Sequence, residues 1–136
     1  MDTHIDVALI LWNPDVIHLM STVLWHRQVS SSGVEPSERE KVKALIESGK
    51  PSVVVFDLDP PYQRSAAVLS DLMARYSGSS FILTCADPAL AVKFVPWLSS
   101  YQVFQKPYGI DELGNAIGAV VHPAVESLAV ASGGRV

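Results

Sequence analysis

Three polar side chains end three apolar runs that have the composition of strands, and together they could act on a phosphoryl group. The runs are "VVVFD", "FILT" and "QVFQK", which end at Asp57, Thr84 and Lys106. A carboxylate can accept a phosphoryl group, a hydroxyl can donate a hydrogen bond to it, and an ammonium group can balance its charge. These three groups can cooperate only if the fold brings the three strand ends together.

The pattern of apolar residues predicts such a fold, because strands and helices alternate along the chain. We predict strands over residues 5–11, 52–57, 80–85 and 101–105, a short strand within 28–33, and helices over 14–27, 36–50, 65–77, 87–98 and from about 111. Strands that are apolar on both faces are typical of a parallel sheet covered by helices on each side. In such sheets the ligand crevice lies beyond the carboxyl ends of the strands, where Asp57 would sit.

Local signals predict several helix ends. Asn13 is a candidate N-cap of the first helix, and Ser37 with Glu40 has the spacing of a capping box for the second. Gly49 should stop that second helix, since glycine is the commonest residue just after a helix end. Pro96 should kink or shorten the fourth helix, because it cannot donate an intrahelical hydrogen bond.

Composition excludes several classes of protein. With 136 residues, 49% hydrophobic and 18% charged, the chain should fold as one globular domain. Its net charge is −4 with no basic cluster, so we expect no direct binding of nucleic acid. No apolar run approaches the roughly 20 residues that a spanning helix needs, so we expect no membrane partner. The single cysteine, Cys85, suits a reducing compartment, and we expect a cytoplasmic protein.

The chain resembles the receiver domains of bacterial two-component response regulators. "FDLDPP" is similar to their acceptor segment, "ILTCAD" to their threonine-bearing strand end, and "VFQKPYGIDEL" to their Lys-Pro-aromatic loop with the acidic helix start that follows. The resemblance covers roughly residues 5 to 121. It implies an α/β, flavodoxin-like (βα)5 three-layer sandwich whose five-stranded parallel sheet has the order 2-1-3-4-5. It also implies a receiver-like domain over residues 1–123, a tail or linker stub over 124–136, and a cis Lys106–Pro107 bond.

The same resemblance implies a role for each residue of the trio. Asp57 would accept a phosphoryl group from the phosphohistidine of a partner histidine kinase. The partner could instead be another signalling protein that binds the chain. Thr84 would then hydrogen-bond one phosphoryl oxygen, and Lys106 would hold another. On this reading the chain is a signalling module and not an enzyme.

The sequence departs from the family at the acidic pair that follows the first strand and binds Mg²⁺ with the acceptor aspartate. Alignment on the proline of "LILWNPDV" puts Leu11 and Trp12 at the paired positions. Mg²⁺ requires hard oxygen ligands in near-octahedral geometry, and only Asp57, Asp59 and a backbone carbonyl remain to supply them. We therefore expect no cofactor and impaired Mg²⁺ binding, with Lys106 as the main counter-charge of Asp57 and Trp12 able to fill the vacated space.

An alternative register would use Asn13 and Asp15 in place of the missing acids, but it spoils the match at the following proline. The retained trio and the missing acids therefore leave two functions open. The favoured one is an atypical receiver, with weak or no Mg²⁺-dependent phosphorylation at Asp57, that acts through protein–protein contacts. The alternative is a conventional receiver that is phosphorylated at Asp57. A nucleotide- or flavin-dependent enzyme is disfavoured, because no glycine-rich phosphate loop follows the first strand.

A partner surface is predicted on the fourth helix, fifth strand and fifth helix, the face that receivers use for dimers or partners. It holds the residues Lys93, Phe94, Trp97, Tyr101, Tyr108 and Glu112. Aromatic residues are enriched in interface cores, although such residues are also common in the core of a domain. The surface predicts a homodimer or a signalling partner.

Overall fold

The structure is a computed structural model that describes residues 4–123 of the chain. The strands are β1 Val7–Ile10, β2 Ser31–Val34, β3 Val53–Asp57, β4 Ser80–Cys85 and β5 Val103–Gln105. The helices are α1 Pro14–His26, α2 Arg39–Gly49, α3 Tyr62–Arg75, α4 Pro88–Phe94 and α5 Ile110–Val121, and a 3₁₀ helix covers Pro96–Ser100. The tail predicted over residues 124–136 lies outside the described residues.

The five strands form one sheet in the order β2-β1-β3-β4-β5, and each neighbouring pair is parallel. This confirms the predicted fold class and strand order. Strand β1 is fully buried between β2 and β3, as its continuous apolar sequence predicted. The parallel pairing brings the carboxyl ends of β3, β4 and β5 to one edge of the sheet.

Helices cover both faces of the sheet, which completes the three-layer sandwich. Alternate strand residues point to opposite faces, so β1, β3, β4 and β5 each contribute side chains to two cores. The core under α1 and α5 includes Val7, Leu9, Met20, Leu24, Val55, Leu113 and Ile117. The core under α2, α3 and α4 includes Ala8, Ile10, Val42, Ile46, Val54, Phe56, Leu69 and Leu98. Within residues 4–123 no helix is long and apolar enough to cross a membrane.

The first helix begins at its predicted cap, and the fourth helix is shortened at Pro96 as predicted. The side chain of Asn13 caps α1 by accepting a hydrogen bond from the Asp15 N–H at 2.9 Å. Pro96 ends the α-helical hydrogen bonding after α4, and the chain continues as the 3₁₀ helix. Pro96 therefore splits the single predicted helix into two short ones.

The second helix differs from its prediction at both ends. Glu38, not Ser37, is the N-cap of α2, and it makes no side-chain capping bond because its carboxylate pairs with Lys41 at 2.6 Å. At the other end Gly49 is the last helical residue, and Lys50 takes the left-handed conformation with φ 44°. Gly49 has a packing role instead, since a Cβ there would lie 2.6 Å from the Ile5 side chain.

Candidate functional site

The sheet brings together the three residues that sequence reasoning singled out. Asp57 ends β3 and is the parallel-register partner of Thr84 on β4. Lys106 directly follows β5, and its backbone N–H donates to the Cys85 carbonyl at 2.9 Å, which ties this turn to the end of β4. The peptide bond that follows, Lys106–Pro107, is cis as the resemblance implied, and Pro60–Pro61 is also cis.

Asp57 is the centre of a compact polar cluster. Its Oδ1 accepts a hydrogen bond from the Thr84 hydroxyl at 2.7 Å and lies 2.6 Å from the Lys106 ammonium nitrogen. Asp57 and Thr84 are buried, whereas 38% of the Lys106 side chain is exposed. A buried carboxylate is costly unless it is paired and hydrogen-bonded, so both contacts stabilise the charge of Asp57. The predicted ion pair of Asp57 with Lys106 is thus present.

Trp12 contributes the contacts that the sequence did not reveal. Its backbone N–H donates to Asp57 Oδ2 at 3.2 Å, and its indole Nε1–H donates to Asp59 Oδ1 at 3.1 Å. Both carboxylates that the sequence left as metal ligands therefore accept hydrogen bonds from one residue. The only prior signal was the position of Trp12 next to the missing acidic pair, which does not indicate the direction of its indole.

A cavity of about 240 Å³ lies beside the Asp57 carboxylate. Its lining is Leu11, Asn13, Val16, Asp57, Lys106, Pro107, Tyr108 and Ile110. Trp12 is not part of this lining, because its indole lies on the other side of Asp57, against Asp59. Burial, with a further contribution from the negative charge of Asp57, raises the pKa of Tyr108 to about 12. The Tyr108 phenol is therefore neutral at physiological pH. Most of the other side chains that line the cavity are apolar.

The oxygen donors around Asp57 are a poor match to the shell that Mg²⁺ requires. Leu11, at one position of the missing acidic pair, is a buried hydrocarbon with no oxygen to offer. The side-chain oxygen of Asn13, which the alternative register would use, already accepts the capping hydrogen bond of α1. Within the described residues 4–123, no three or more histidine, cysteine, aspartate or glutamate side chains are grouped so that they could hold a metal ion. Mg²⁺ in proteins keeps several waters and binds through one or two carboxylates. The carboxylates next to this crevice are Asp57 and Asp59, and both accept hydrogen bonds from Trp12.

The predicted partner surface is partly exposed. Phe94 is 50% exposed, Trp97 39% and Tyr101 38%, and the rings of Trp97 and Tyr101 meet edge-to-face with centroids 5.9 Å apart. Tyr108 instead packs edge-to-face on Phe104 beside the Asp57 cavity. Sequence reasoning did not single out Trp25, which is 73% exposed on α1.

No protein-family model matches the chain, and no curated protein matches it significantly. Solved structures match it in fold. The receiver domain of the Francisella response regulator 1452 aligns with a TM-score of 0.70 at 17% identity, over 89% of this chain and 99% of that one.

Two further structures agree with this likeness. The signal receiver domain of a putative Luxo repressor protein from Vibrio parahaemolyticus aligns with a TM-score of 0.70 at 20% identity, over 93% of this chain and 97% of that one. A transiently phosphorylated switch of bacterial signal transduction aligns with a TM-score of 0.67 at 19% identity, over 87% and 94%. At these identities the likeness shows the fold, which is the CheY-like receiver fold.

Proposed function

We propose that this chain is a receiver-like signalling domain of a two-component or phosphorelay system, with weak or no Mg²⁺-dependent phosphorylation at Asp57. The observation that carries the proposal is that Trp12 donates hydrogen bonds to both Asp57 and Asp59. In a phosphorylatable receiver these carboxylates would bind a metal ion, which here would compete with the two N–H donors of Trp12. Here one is bonded by a backbone N–H and the other by an indole.

The lack of a metal ion should slow phosphoryl transfer because of the negative charge that the reaction develops. Phosphoryl transfer gathers negative charge on the transferred oxygens, and metal ions usually neutralise it. Without Mg²⁺, Lys106 is the one cation at Asp57 among the described residues, and it already pairs with the carboxylate at 2.6 Å. An incoming phosphoryl group would have to share that cation with the Asp57 carboxylate that attacks its phosphorus. The transfer should therefore be slow.

The standing pair of Asp57 with Lys106 also suggests how such a domain signals. The acceptor already has its hydroxyl and ammonium partners, so the strand ends are held in one arrangement without a phosphoryl group. The domain then acts through protein–protein contacts, with a histidine kinase, another signalling protein or a second copy of itself. The exposed Phe94, Trp97 and Tyr101 on the face of α4, β5 and α5 are the surface for that contact. Neither catalysis nor direct nucleic-acid binding belongs to this role.

A conventional receiver, phosphorylated at Asp57, is the alternative. It is favoured by the complete trio and by the cavity of about 240 Å³ that reaches the Asp57 carboxylate. Such a cavity leaves room for a small phosphodonor even though its lining is mostly apolar.

Phosphorylation by acetyl phosphate with Mg²⁺, followed by intact-mass spectrometry, separates the two functions. We expect little adduct on the native chain. Trp12→Asp should add an oxygen ligand beside Asp57 and accelerate modification at least about tenfold, equivalent to about 1.4 kcal/mol of transition-state stabilisation. Trp25→Asp is the matched control, because it makes the same substitution at an exposed site on α1 and should change nothing.

The controls also define the result that would overturn the proposal. A stoichiometric adduct on the native chain that disappears in Asp57→Asn would identify a conventional receiver. Equal rates for the native chain and Trp12→Asp would show that Trp12 does not limit the chemistry.

A further inference from the structure

A second region of the molecule, between α2 and α3, has the features of a ligand site that the proposed function does not use. Two adjoining cavities of about 350 Å³ and 320 Å³ lie there. They share five lining residues, which are Pro36, Arg39, Phe56, Arg64 and Val68. We call the two together the α2–α3 groove. None of its lining residues lines the cavity beside Asp57.

The floor of the α2–α3 groove is apolar. Val42, Phe56, Val68 and Leu72 form it, and three of these four side chains also belong to the buried core beneath α2 and α3. Each cavity reaches the lower end of the size range of small-molecule sites, about 300–1,000 Å³. Because Val42, Phe56 and Leu72 are already almost fully buried, an apolar body would gain mainly from van der Waals contact with them and from burial of the exposed part of Val68.

Cations line the walls of the groove. Arg39 and Arg64 border both cavities, and Lys43 borders the larger one. Within residues 4–123 none of the three forms an ion pair, because the described pairs of lysine and arginine involve other side chains. These three cations are therefore available to an anion from outside the chain.

The acids in the groove limit the charge that an occupant can carry. Asp71 lines the larger cavity and pairs with Arg75 at 3.8 Å, and Asp59 lines the smaller one and accepts the indole N–H of Trp12. Two carboxylates near the walls would repel a multiply charged ligand. An arginine guanidinium matches a single carboxylate with two parallel hydrogen bonds.

We propose that the α2–α3 groove binds a small monocarboxylate with an apolar body, its chain on Phe56 and Val68 and its carboxylate between Arg39 and Arg64. This binding does not depend on phosphorylation at Asp57. Trp12 borders the smaller cavity and would report occupancy, since its indole faces the groove while its backbone N–H bonds Asp57.

Amide NMR titration of the full chain with octanoate, against 1-octanol as the uncharged ligand of equal chain length, tests the proposal. With octanoate we expect saturable shifts confined to the lining of the groove, which is Trp12 and residues 36–43, 56–61 and 64–72. Binding of 1-octanol should be at least tenfold weaker. Arg39→Gln with Arg64→Gln should weaken octanoate binding at least tenfold. Lys93→Gln removes one positive charge on α4 and should leave the affinity unchanged.

A second readout uses the fluorescence of Trp12 in a Trp25→Phe, Trp97→Phe background, where both replaced rings are exposed. Octanoate should change this signal with the same saturation curve as the amide shifts. Equal binding of 1-octanol and octanoate, unchanged affinity in the double arginine variant, shifts elsewhere on the surface, or no saturation would each overturn the proposal. Each of these results leaves the phosphorylation experiment at Asp57 unaffected.

Discussion

The ion pair of Asp57 and Lys106 predicts that replacing the lysine and replacing the aspartate will destabilise the fold by different amounts. Removing the lysine leaves a buried carboxylate without its counter-charge. Removing the carboxylate leaves an ammonium group whose side chain is 38% exposed and can turn to water. We therefore expect Lys106→Met to destabilise the fold far more than Asp57→Asn.

The structure allows the size of the effect to be bounded. At the observed separation of 2.6 Å, the Coulomb attraction is about 1.6 kcal/mol with the dielectric constant of water and about 6 kcal/mol at an effective value of 20. Breaking a fully buried pair by removing one partner costs about 3–5 kcal/mol, and an exposed pair is worth only about 0–1 kcal/mol. With one buried and one partly exposed partner, we expect Lys106→Met to lower the free energy of unfolding by about 2–3 kcal/mol. Asp57→Asn should cost at most about 1 kcal/mol, because its amide oxygen still accepts from Thr84.

Urea unfolding followed by circular dichroism measures these free energies. The double variant Asp57→Asn/Lys106→Met should recover most of the stability that Lys106→Met loses, since no uncompensated buried charge remains. Lys93→Met is the control, because it makes the same substitution on the surface of α4. The reasoning fails if Lys106→Met and Lys93→Met cost the same, or if the double variant is no more stable than Lys106→Met.

Two further predictions concern packing and pH. Gly33→Ala should lower the free energy of unfolding by about 1–3 kcal/mol, because the new Cβ would overlap the Ile17 side chain. Gly78→Ala is the control, since open space surrounds this position, and it should change the free energy of unfolding by at most about 0.5 kcal/mol. Equal melting temperatures of the two variants would contradict this prediction. Burial is the main cause that raises the pKa of Tyr76 and of Tyr108 to about 12, from an ordinary value of about 10. The two neutral phenols therefore make their full contribution to the free energy of unfolding below about pH 10, and this contribution is lost as the pH rises through about 12. Burial also raises the pKa of Tyr62, so ultraviolet titration of phenolate should show three tyrosines that ionise late, one of which disappears in Tyr108→Phe. Titration of Tyr76 and Tyr108 near pH 10 would refute the assignment.

The order of strands and helices was readable from the sequence because it depends on local periodicity. Continuous apolar runs such as residues 53–56 indicate strands buried on both faces, and the segments with helical spacing between them form the crossovers. Helix ends were less predictable. The spacing of Ser37 and Glu40 suits a capping box, but alternative caps differ in stability by only about 1 kcal/mol. The helix begins after Glu38 instead, and the ion pair of Glu38 with Lys41 was not indicated by that spacing.

The sequence by itself indicated that Asp57, Thr84 and Lys106 would lie at one edge of the sheet, because parallel strands bring their carboxyl ends to the same edge. That their strands are neighbours was implied by the family resemblance and is shown by the sheet order. Only the tertiary structure decided where Trp12 directs its donors, since its two partners lie 45 and 47 positions away along the chain. The open groove between α2 and α3 is likewise a property of two helices packed on the sheet, and no linear pattern encodes the space between them. Pattern and spacing thus specify which groups converge, while the free space and the hydrogen bonds that decide their chemistry arise only from three-dimensional packing.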